Sequence, residues 1–453
     1  MNKNKLLLWS LVAALAGFIF GFDTVVISGA NLPIKELWHT SPLFHGFFIM
    51  SMALWGTVIG AIFGGIPTQK YGRKKVLFWL GVVYTASAFG TALAPDPYTF
   101  SAFRFIGGLG IGVSSVVAPT YISEISTPAT RGRFVAMYQF NIVFGILVAF
   151  FSNYLLQGFD GANDWRWMLG VLAIPSVLYT LLVITVPESP RWLLSNKNDR
   201  EGAAKILAQL GVTDTKKEID EILAANKHES AGESAAGLFS SKYSRVMWLA
   251  FMVAFFNQLS GINFILYYAP EILANAGLAA KESLLNSIAI GGTNLLFTFA
   301  GLYLIDRLGR KTLLLIGSFG YIISLALVAW SFYSHASSGF LLVCLMLFIA
   351  SHAIGQGAVI WVFISEIFPN KARAMGQAFG ASIHWVFAAI ITLITPLFLD
   401  ETDGILKDEP WKIFAFFAVM MIWQLVWVVT KVPETKGVSL EELEKKLVGS
   451  DKL

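Results

Sequence analysis

Gly64-Gly65-Ile66-Pro67-Thr68-Gln69-Lys70-Tyr71-Gly72-Arg73-Lys74 returns, altered but in register, as Gly301-Leu302-Tyr303-Leu304-Ile305-Asp306-Arg307-Leu308-Gly309-Arg310-Lys311. Two more pairs keep nearly the same separation of about 240 residues. Ser123-Glu124-Ile125 with Arg131 matches Ser365-Glu366-Ile367 with Arg373, and Pro187-Glu188-Ser189 matches Pro433-Glu434-Thr435. A duplication on this scale predicts two related halves. Each copy falls where a long apolar run gives way to polar sequence, so the repeat belongs to a membrane architecture.

Composition points the same way. The chain has 453 residues, 56% hydrophobic and 14% charged, whereas soluble proteins carry about 25% charged residues. Too few polar groups remain to coat the roughly three soluble domains that such a length suggests. Apolar runs lie near 6–30, 46–67, 76–94, 100–123, 134–157 and 167–186, and again near 246–270, 284–305, 313–333, 340–366, 375–398 and 411–431. A spanning helix needs about 20 apolar residues, so these make about twelve spans, six on each side of a polar segment. Lipid-exposed spans are helices or closed barrels, and the runs are too long and continuous for barrel strands of about ten residues. The expected fold is therefore all-α and membrane-integral, with an N-terminal six-helix bundle (1–186), a cytoplasmic linker (187–245), a C-terminal six-helix bundle (246–431) and a cytoplasmic tail (432–453).

Basic clusters set the orientation. Lys70, Arg73, Lys74 and Lys75; Arg131 and Arg133; Arg307, Arg310 and Lys311; and Lys371 and Arg373 each follow an even-numbered span. One alternate loop is acidic (Asp400, Glu401, Asp403, Asp408, Glu409). Both termini and the linker are predicted to be cytoplasmic. The net charge of +4 then records orientation, and no nucleic-acid partner is implied. Lys3 and Lys5 before an apolar run also suit a signal peptide, but no clear small-residue cleavage site follows and the run holds Asp23; it is read as the first span. The stretches Arg200–Leu210, Glu218–Asn226 and Leu440–Leu447 suit either short surface helices or solvated linkers. The single Cys344 excludes a disulfide framework or a Cys-based metal site. No catalytic constellation, cofactor motif or metal set is present. The glycines of Gly107–Gly112 sit inside an apolar span and read as close-packing positions rather than a phosphate cradle.

Charges at the cytoplasmic ends of spans come as opposite-sign sets. Arg73, Glu124, Arg131 and Glu188 in one half correspond to Arg310, Glu366, Arg373 and Glu434 in the other. Such groups can pair in one conformation and release in another. Topological anchoring alone accounts for the basic members but not for Glu124 and Glu366.

Asp23 is the sharpest single feature. A carboxylate at the bilayer centre costs about 2.5–3.5 kcal/mol even on insertion scales, and it is normally kept with a partner or a function. Arg104, in the fourth run, is the candidate partner. One titrating carboxylate beside a permanent cation makes a proton switch, and the alternative is a static pair. Uncharged amides that both donate and accept also fall within the predicted spans, at Gln139, Asn257, Gln258, Asn263 and Asn294, and Phe20, Trp361 and Trp385 offer aromatic surfaces there. Phe20 and Asp23, three apart, share a helix face. Gln258 and Asn263 are five apart, about 140° on an ideal helix, and converge only if it bends at Gly261. Interhelical hydrogen bonding is the competing role for each amide.

Together, Arg104-Phe105-Ile106-Gly107-Gly108, Pro187-Glu188-Ser189-Pro190-Arg191-Trp192-Leu193, Gln258-Leu259-Ser260-Gly261-Ile262-Asn263 and Pro433-Glu434-Thr435-Lys436-Gly437 resemble the sugar porter family of the major facilitator superfamily, over essentially the whole chain. The likeness is nearest to bacterial proton-coupled symporters of the xylose–proton type. It implies two pseudo-symmetric bundles rocking around a central sugar site, with monosaccharide, proton and bilayer as partners, in a bacterial plasma membrane and as a functional monomer. By the same resemblance Gln139, Gln258, Asn263, Asn294 and His384 stand at sugar-binding positions, where neutral amides match ring hydroxyls. Trp361, which follows the Gly355-Gln356-Gly357 interruption, and Trp385 are candidate surfaces for the sugar's apolar face, with lipid packing or an interfacial belt as the alternative. Tyr267 and Tyr268 resemble an outer gate, with packing as the alternative. Gln69-Lys70 where the family usually has Asp-Arg, Asn257 for a second Gln, Ala358 for a Pro and His384 for Gln or Asn are departures. The expected activity is proton-coupled import of a pentose or hexose. A proton-independent sugar or polyol uniporter and a transporter-like sensor are the alternatives; a sensor would be expected to carry a long cytoplasmic tail, and here about twenty residues follow the last span.

Overall fold

The computed structural model describes residues 3–229, 240–369, 372–438 and 440–448. Lys371, and the parts of the linker and tail at 230–239, 439 and 449–453, lie outside the described residues. The protein is all-α, and among the described residues eleven helices are long and apolar enough to cross a membrane. A bent pair, Pro42–Met50 with Met52–Phe63 at 43°, makes a twelfth. In chain order the spans begin with Lys3–Trp38, this bent second span, Arg73–Ala92, Pro97–Ile125, Pro128–Leu156, and a sixth built from Asp164–Gly170 and Ala173–Ile184. The rest are Ser244–Leu259 with Ile262–Asn275, Ala280–Leu308, Arg310–Tyr333, Ser338–Ile354 with Gln356–Ile367, Arg373–Leu399 and Trp411–Lys431. Helices also form at Arg200–Gln209, Thr215–Glu229 and Leu440–Leu447. The first two of these bury Ala203, Leu207, Ile219 and Ile222 with Leu194 in a small apolar core of their own.

The chain divides into two compact units. The first comprises residues 1–30, 52–152 and 158–232; the second comprises 31–51, 153–157 and 233–453. In the first unit the second and fourth spans pack backbone to backbone. A Cβ on Gly56 or Gly60 would strike the main chain of Phe105 and Leu109, and one on Gly108 or Gly112 the main chain of Ala53 and Thr57. Lipid supplies no hydrophobic drive between helices, so this intimate contact is the source of their cohesion.

In the second unit the seventh span breaks where Gly261 takes φ +86°, a left-handed conformation that a Cβ disfavours. Phe417 leaves no room for a side chain there. A second irregularity follows at Tyr268 (φ −117°, ψ 15°), two residues before Pro270. The tenth span is interrupted at Gly355 (φ −84°, ψ −103°). Both breaks lie among buried polar residues, Gln258, Ser260 and Asn263 at the first and Gln356 at the second, and irregular backbone at membrane depth is tolerated only where protein or a cavity surrounds it.

Candidate functional site

The first unit carries the buried ion pair. Arg104 Nη1 donates to Asp23 Oδ1 at 2.6 Å, and Nη2 donates to the Asp23 carbonyl at 3.3 Å. Both side chains are nearly sealed, at 5% and 2% exposure. Asp23 Oδ2 and Arg104 Nε are buried without a hydrogen-bond partner among the described residues. The pair is thus under-satisfied on both sides, an expensive state for a purely structural contact. Phe20 is buried one turn earlier on the same helix, and Gln139 is half-buried on the fifth span.

The second unit gathers most of the predicted sugar-binding residues. Across the break at Gly261, Asn263 Nδ2 donates to Gln258 Oε1 at 2.8 Å. Gln258 Nε2 donates to Asn257 Oδ1 at 3.1 Å and stands 3.1 Å from His384 Nδ1. The imidazole, facing an amide N–H, acts there as acceptor. Its ring is 5.0 Å from that of Trp361 and 4.8 Å from that of Trp385. Three amides, one imidazole and two indoles therefore form one connected group, uncharged throughout. Asn294, buried on the eighth span, makes no hydrogen bond to this group among the described residues. Tyr267 and Tyr268 are buried on the helix after the break, and Tyr268 donates to the Thr392 carbonyl at 2.8 Å. His352 pairs with the Tyr321 hydroxyl at 2.7 Å.

The cytoplasmic charge sets repeat in both units with almost the same geometry. Arg73 donates to Glu124 through Nε (2.9 Å) and Nη2 (2.7 Å); Arg310 donates to Glu366 through Nε (3.0 Å) and Nη2 (2.7 Å). Such two-pronged guanidinium–carboxylate contacts are the strong, orientation-specific kind. Glu188 and Glu434 act differently from the guanidinium partners expected of them. Glu188 accepts from the backbone N–H of Arg73 (2.8 Å) and Lys74 (3.1 Å), and Glu434 from those of Arg310 (2.9 Å) and Lys311 (3.0 Å). Each carboxylate satisfies the first free N–H groups of a helix and meets its positive end. Gly72 (φ +95°) and Gly309 (φ +90°) permit the approach; a Cβ on either would collide with the carboxylate. Burial raises the pKa of Glu188, a rise only partly countered by its backbone N–H donors. At Glu434 burial also raises, but the donors at Lys436, Arg310, Lys311 and Thr435 prevail and hold it below the usual range.

Arg131 donates through Nε to the Ser123 carbonyl at 3.2 Å, and Arg373 opens the eleventh span. The Gln69-for-Asp departure changes little locally. Arg73 Nη1 reaches Gln69 at 3.4 Å, and Arg310 Nη1 reaches the exposed Asp306 at 3.5 Å.

A third polar group has no counterpart in the sequence reading. Asn31, Lys35, His45, Glu271 and Asp400 meet in the second unit. The apolar runs were read as ending near 30 and 270, whereas the helices continue to Trp38 and Asn275. Asn31, Lys35 and Glu271 therefore sit inside helices. The available signal was Glu271 itself: an ionisable residue one position beyond an apolar run merits the same suspicion as Asp23.

A family model described as "Sugar (and other) transporter" matches residues 9–447. The chain is 36% identical to the arabinose-proton symporter of Bacillus subtilis, over 98% of this chain and 95% of the relative. It is 33% identical to the galactose-proton symporter of Escherichia coli, over 100% and 96%. The inward open structure of the xylose transporter XylE from E. coli superposes with a TM-score of 0.84 at 31% identity, covering 97% of this chain and 99% of that one.

Proposed function

This chain belongs to the sugar (and other) transporter family, and on that premise we propose that it imports a neutral monosaccharide together with a proton, by alternating access in a bacterial inner membrane. The observation that carries the reading is the sealed Asp23–Arg104 pair, with one carboxylate oxygen left without a hydrogen-bond partner among the described residues. A proton on that oxygen cancels the carboxylate charge and loosens its hold on Arg104; its loss restores the pair. The guanidinium stays charged throughout, so the switch has one titrating member. Its output is the strength of the link between the first and fourth spans. Proton-coupled transport by its relatives of 33–36% identity supports the same reading.

In this proposal the second unit holds the sugar through Gln258, Asn257, Asn263, His384, Trp361 and Trp385, with Asn294 as a further contact; in the first unit Phe20 and Gln139 are the candidate sugar contacts. Amides both donate and accept, so they match ring hydroxyls without a fixed charge, and indole faces match the apolar C–H face. The amides that now bond each other exchange those bonds for sugar hydroxyls. Tyr267 and Tyr268 gate the outer side. Arg73–Glu124 and Arg310–Glu366, set by Glu188 and Glu434 and flanked by Arg131 and Arg373, hold and release the cytoplasmic ends. The protein acts as a monomer.

The test is uptake of labelled sugar in a transport-deficient host, against a panel of unlabelled pentoses and hexoses, repeated with a protonophore. Competition by a subset of monosaccharides and loss of accumulation with the protonophore are expected. Accumulation that survives the protonophore refutes proton coupling, and no competition by any monosaccharide refutes the substrate class.

A further inference from the structure

The polar group around Glu271 shares no residue with the Asp23–Arg104 pair or with the amide–indole group. Asp400 accepts from the Lys35 ammonium, from Thr402 N (2.9 Å) and Oγ1 (2.8 Å), and from Asp403 N (3.0 Å). It is fully paired in its ionised form, and its pKa is brought to about 2: burial raises it, but Lys35 and the donors of Thr402 and Asp403 outweigh burial. Lys35 is thus already committed to another carboxylate. Glu271, buried at 6% exposure, has one hydrogen bond among the described residues, from Asn31 Nδ2 to Oε2 at 2.5 Å. That donor is neutral. Asn31 Oδ1, which can only accept, lies 2.6 Å from His45 Nε2, so that nitrogen carries a hydrogen. His45 Nδ1 in turn meets the Thr40 hydroxyl at 2.8 Å. None of the hydrogen bonds along Thr40–His45–Asn31–Glu271 requires a charged member.

The charge count decides the rest. Lys35 and Asp400 are the charged side chains joined in this polar group, and Glu401 follows Asp400 in the chain. Tyr268 on its own helix and His45 beyond Asn31 are the other titratable groups beside it. One cation therefore faces two other carboxylates before Glu271 is counted. An ionised Glu271 would be a second buried anion sharing a cation already engaged, in a helix that crosses the membrane. A protonated Glu271 keeps the Asn31 bond through Oε2 and removes the surplus charge.

We propose that Glu271 is a second proton-binding site of this protein, occupied while Asn31 and Lys35 are docked against the Glu271 helix and Asp400. When those contacts part and water enters, the carboxyl O–H gives its proton to water, leaving a hydrated carboxylate and a hydronium ion. By the orientation of the basic loops these helix ends face away from the cytoplasm. Acid on that side therefore holds the contact shut, and alkali favours its opening. This site is separate from the proton that drives transport, and its occupancy does not depend on the transport reading.

The test is difference infrared spectroscopy on the full-length protein in lipid. It uses Asp23→Asn, so that the transport carboxyl contributes no acid band, with glutamate carbons labelled by 13C to separate Glu from Asp. A protonated glutamate C=O stretch at neutral pH, shifted by the label, lost on raising the pH and missing in Glu271→Gln, is expected. Gln keeps the acceptor for Asn31 and nearly the same shape. Should that variant fold poorly, the absence of a labelled acid band from the parent at neutral pH still overturns the proposal. No protonated glutamate band at neutral pH, or one that persists in Glu271→Gln, overturns the proposal.

Discussion

Asp23→Asn separates coupling from carriage. Asn is close in shape and keeps an oxygen within reach of Arg104 Nη1, now 2.6 Å from Oδ1, and the 3.3 Å bond to the residue 23 carbonyl survives. What goes is the charge. Arg104 is left as an uncompensated cation at 2% exposure, and removing one partner of a buried pair costs about 3–5 kcal/mol. The retained hydrogen bonds place the expected stability loss at the low end, about 3 kcal/mol.

The transport consequence is larger. One charge crossing 100 mV is worth about 2.3 kcal/mol, which supports about forty-fold accumulation of a neutral sugar. A variant that cannot take up the proton should equilibrate sugar and stop near unity. The assay is uptake into proteoliposomes with an imposed potassium diffusion potential, using a sugar identified by competition. Equilibrium exchange at zero potential serves as the control and should persist. Undiminished accumulation by the variant, with exchange intact, would refute the assignment of Asp23 as the proton-carrying group.

Other expectations follow from the remaining contacts. Glu366→Gln removes the charge that receives two bonds from Arg310 and one from Thr435; hydrogen bonds to charged groups contribute about 1.5–3 kcal/mol each, so a thermal unfolding shift and faster labelling of cysteines introduced at the cytoplasmic helix ends are expected. Gly261→Ala forces a Cβ into left-handed backbone at a cost of about 1–2 kcal/mol and against Phe417; sugar affinity should fall along with stability, because the bend joins Gln258 to Asn263.

Glu188 and Glu434 should respond to pH in opposite senses. Glu434 has a lowered pKa, so its contribution is present above its ordinary value and fades as pH falls through the lowered one. Glu188 has a raised pKa, so its contribution is present below its ordinary value and is lost as pH rises through the raised one. Unfolding measured near neutral pH should show Glu434→Gln costing more than Glu188→Gln, and the gap should narrow on acidification.

Much of this protein is legible along one dimension. The all-α class and the apolar spans follow from run length, which the bilayer enforces residue by residue, and Lys/Arg placement carries the expected orientation. Asp23 stood out because charge inside an apolar run is costly wherever the helix packs. The repeat also marked Arg73 with Glu124 and Arg310 with Glu366 as sets. Their division of labour with Glu188 and Glu434 was not legible, because it depends on a carboxylate approaching helix N–H groups past two glycines of positive φ.

Beyond Asp23 with Arg104 and Gln258 with Asn263 across Gly261, tertiary structure alone decided which buried polar residues meet. Gln258 and His384 are 126 residues apart and touch only through packing. Asn31 and Glu271 are 240 apart, and their helices outrun the apolar windows used to define them. Periodicity and charge are local properties of a chain in a fixed solvent, so sequence carries them. The partner of a buried carboxylate, and hence whether it holds a proton, is set by distances across helices, and those exist only once the helices are packed.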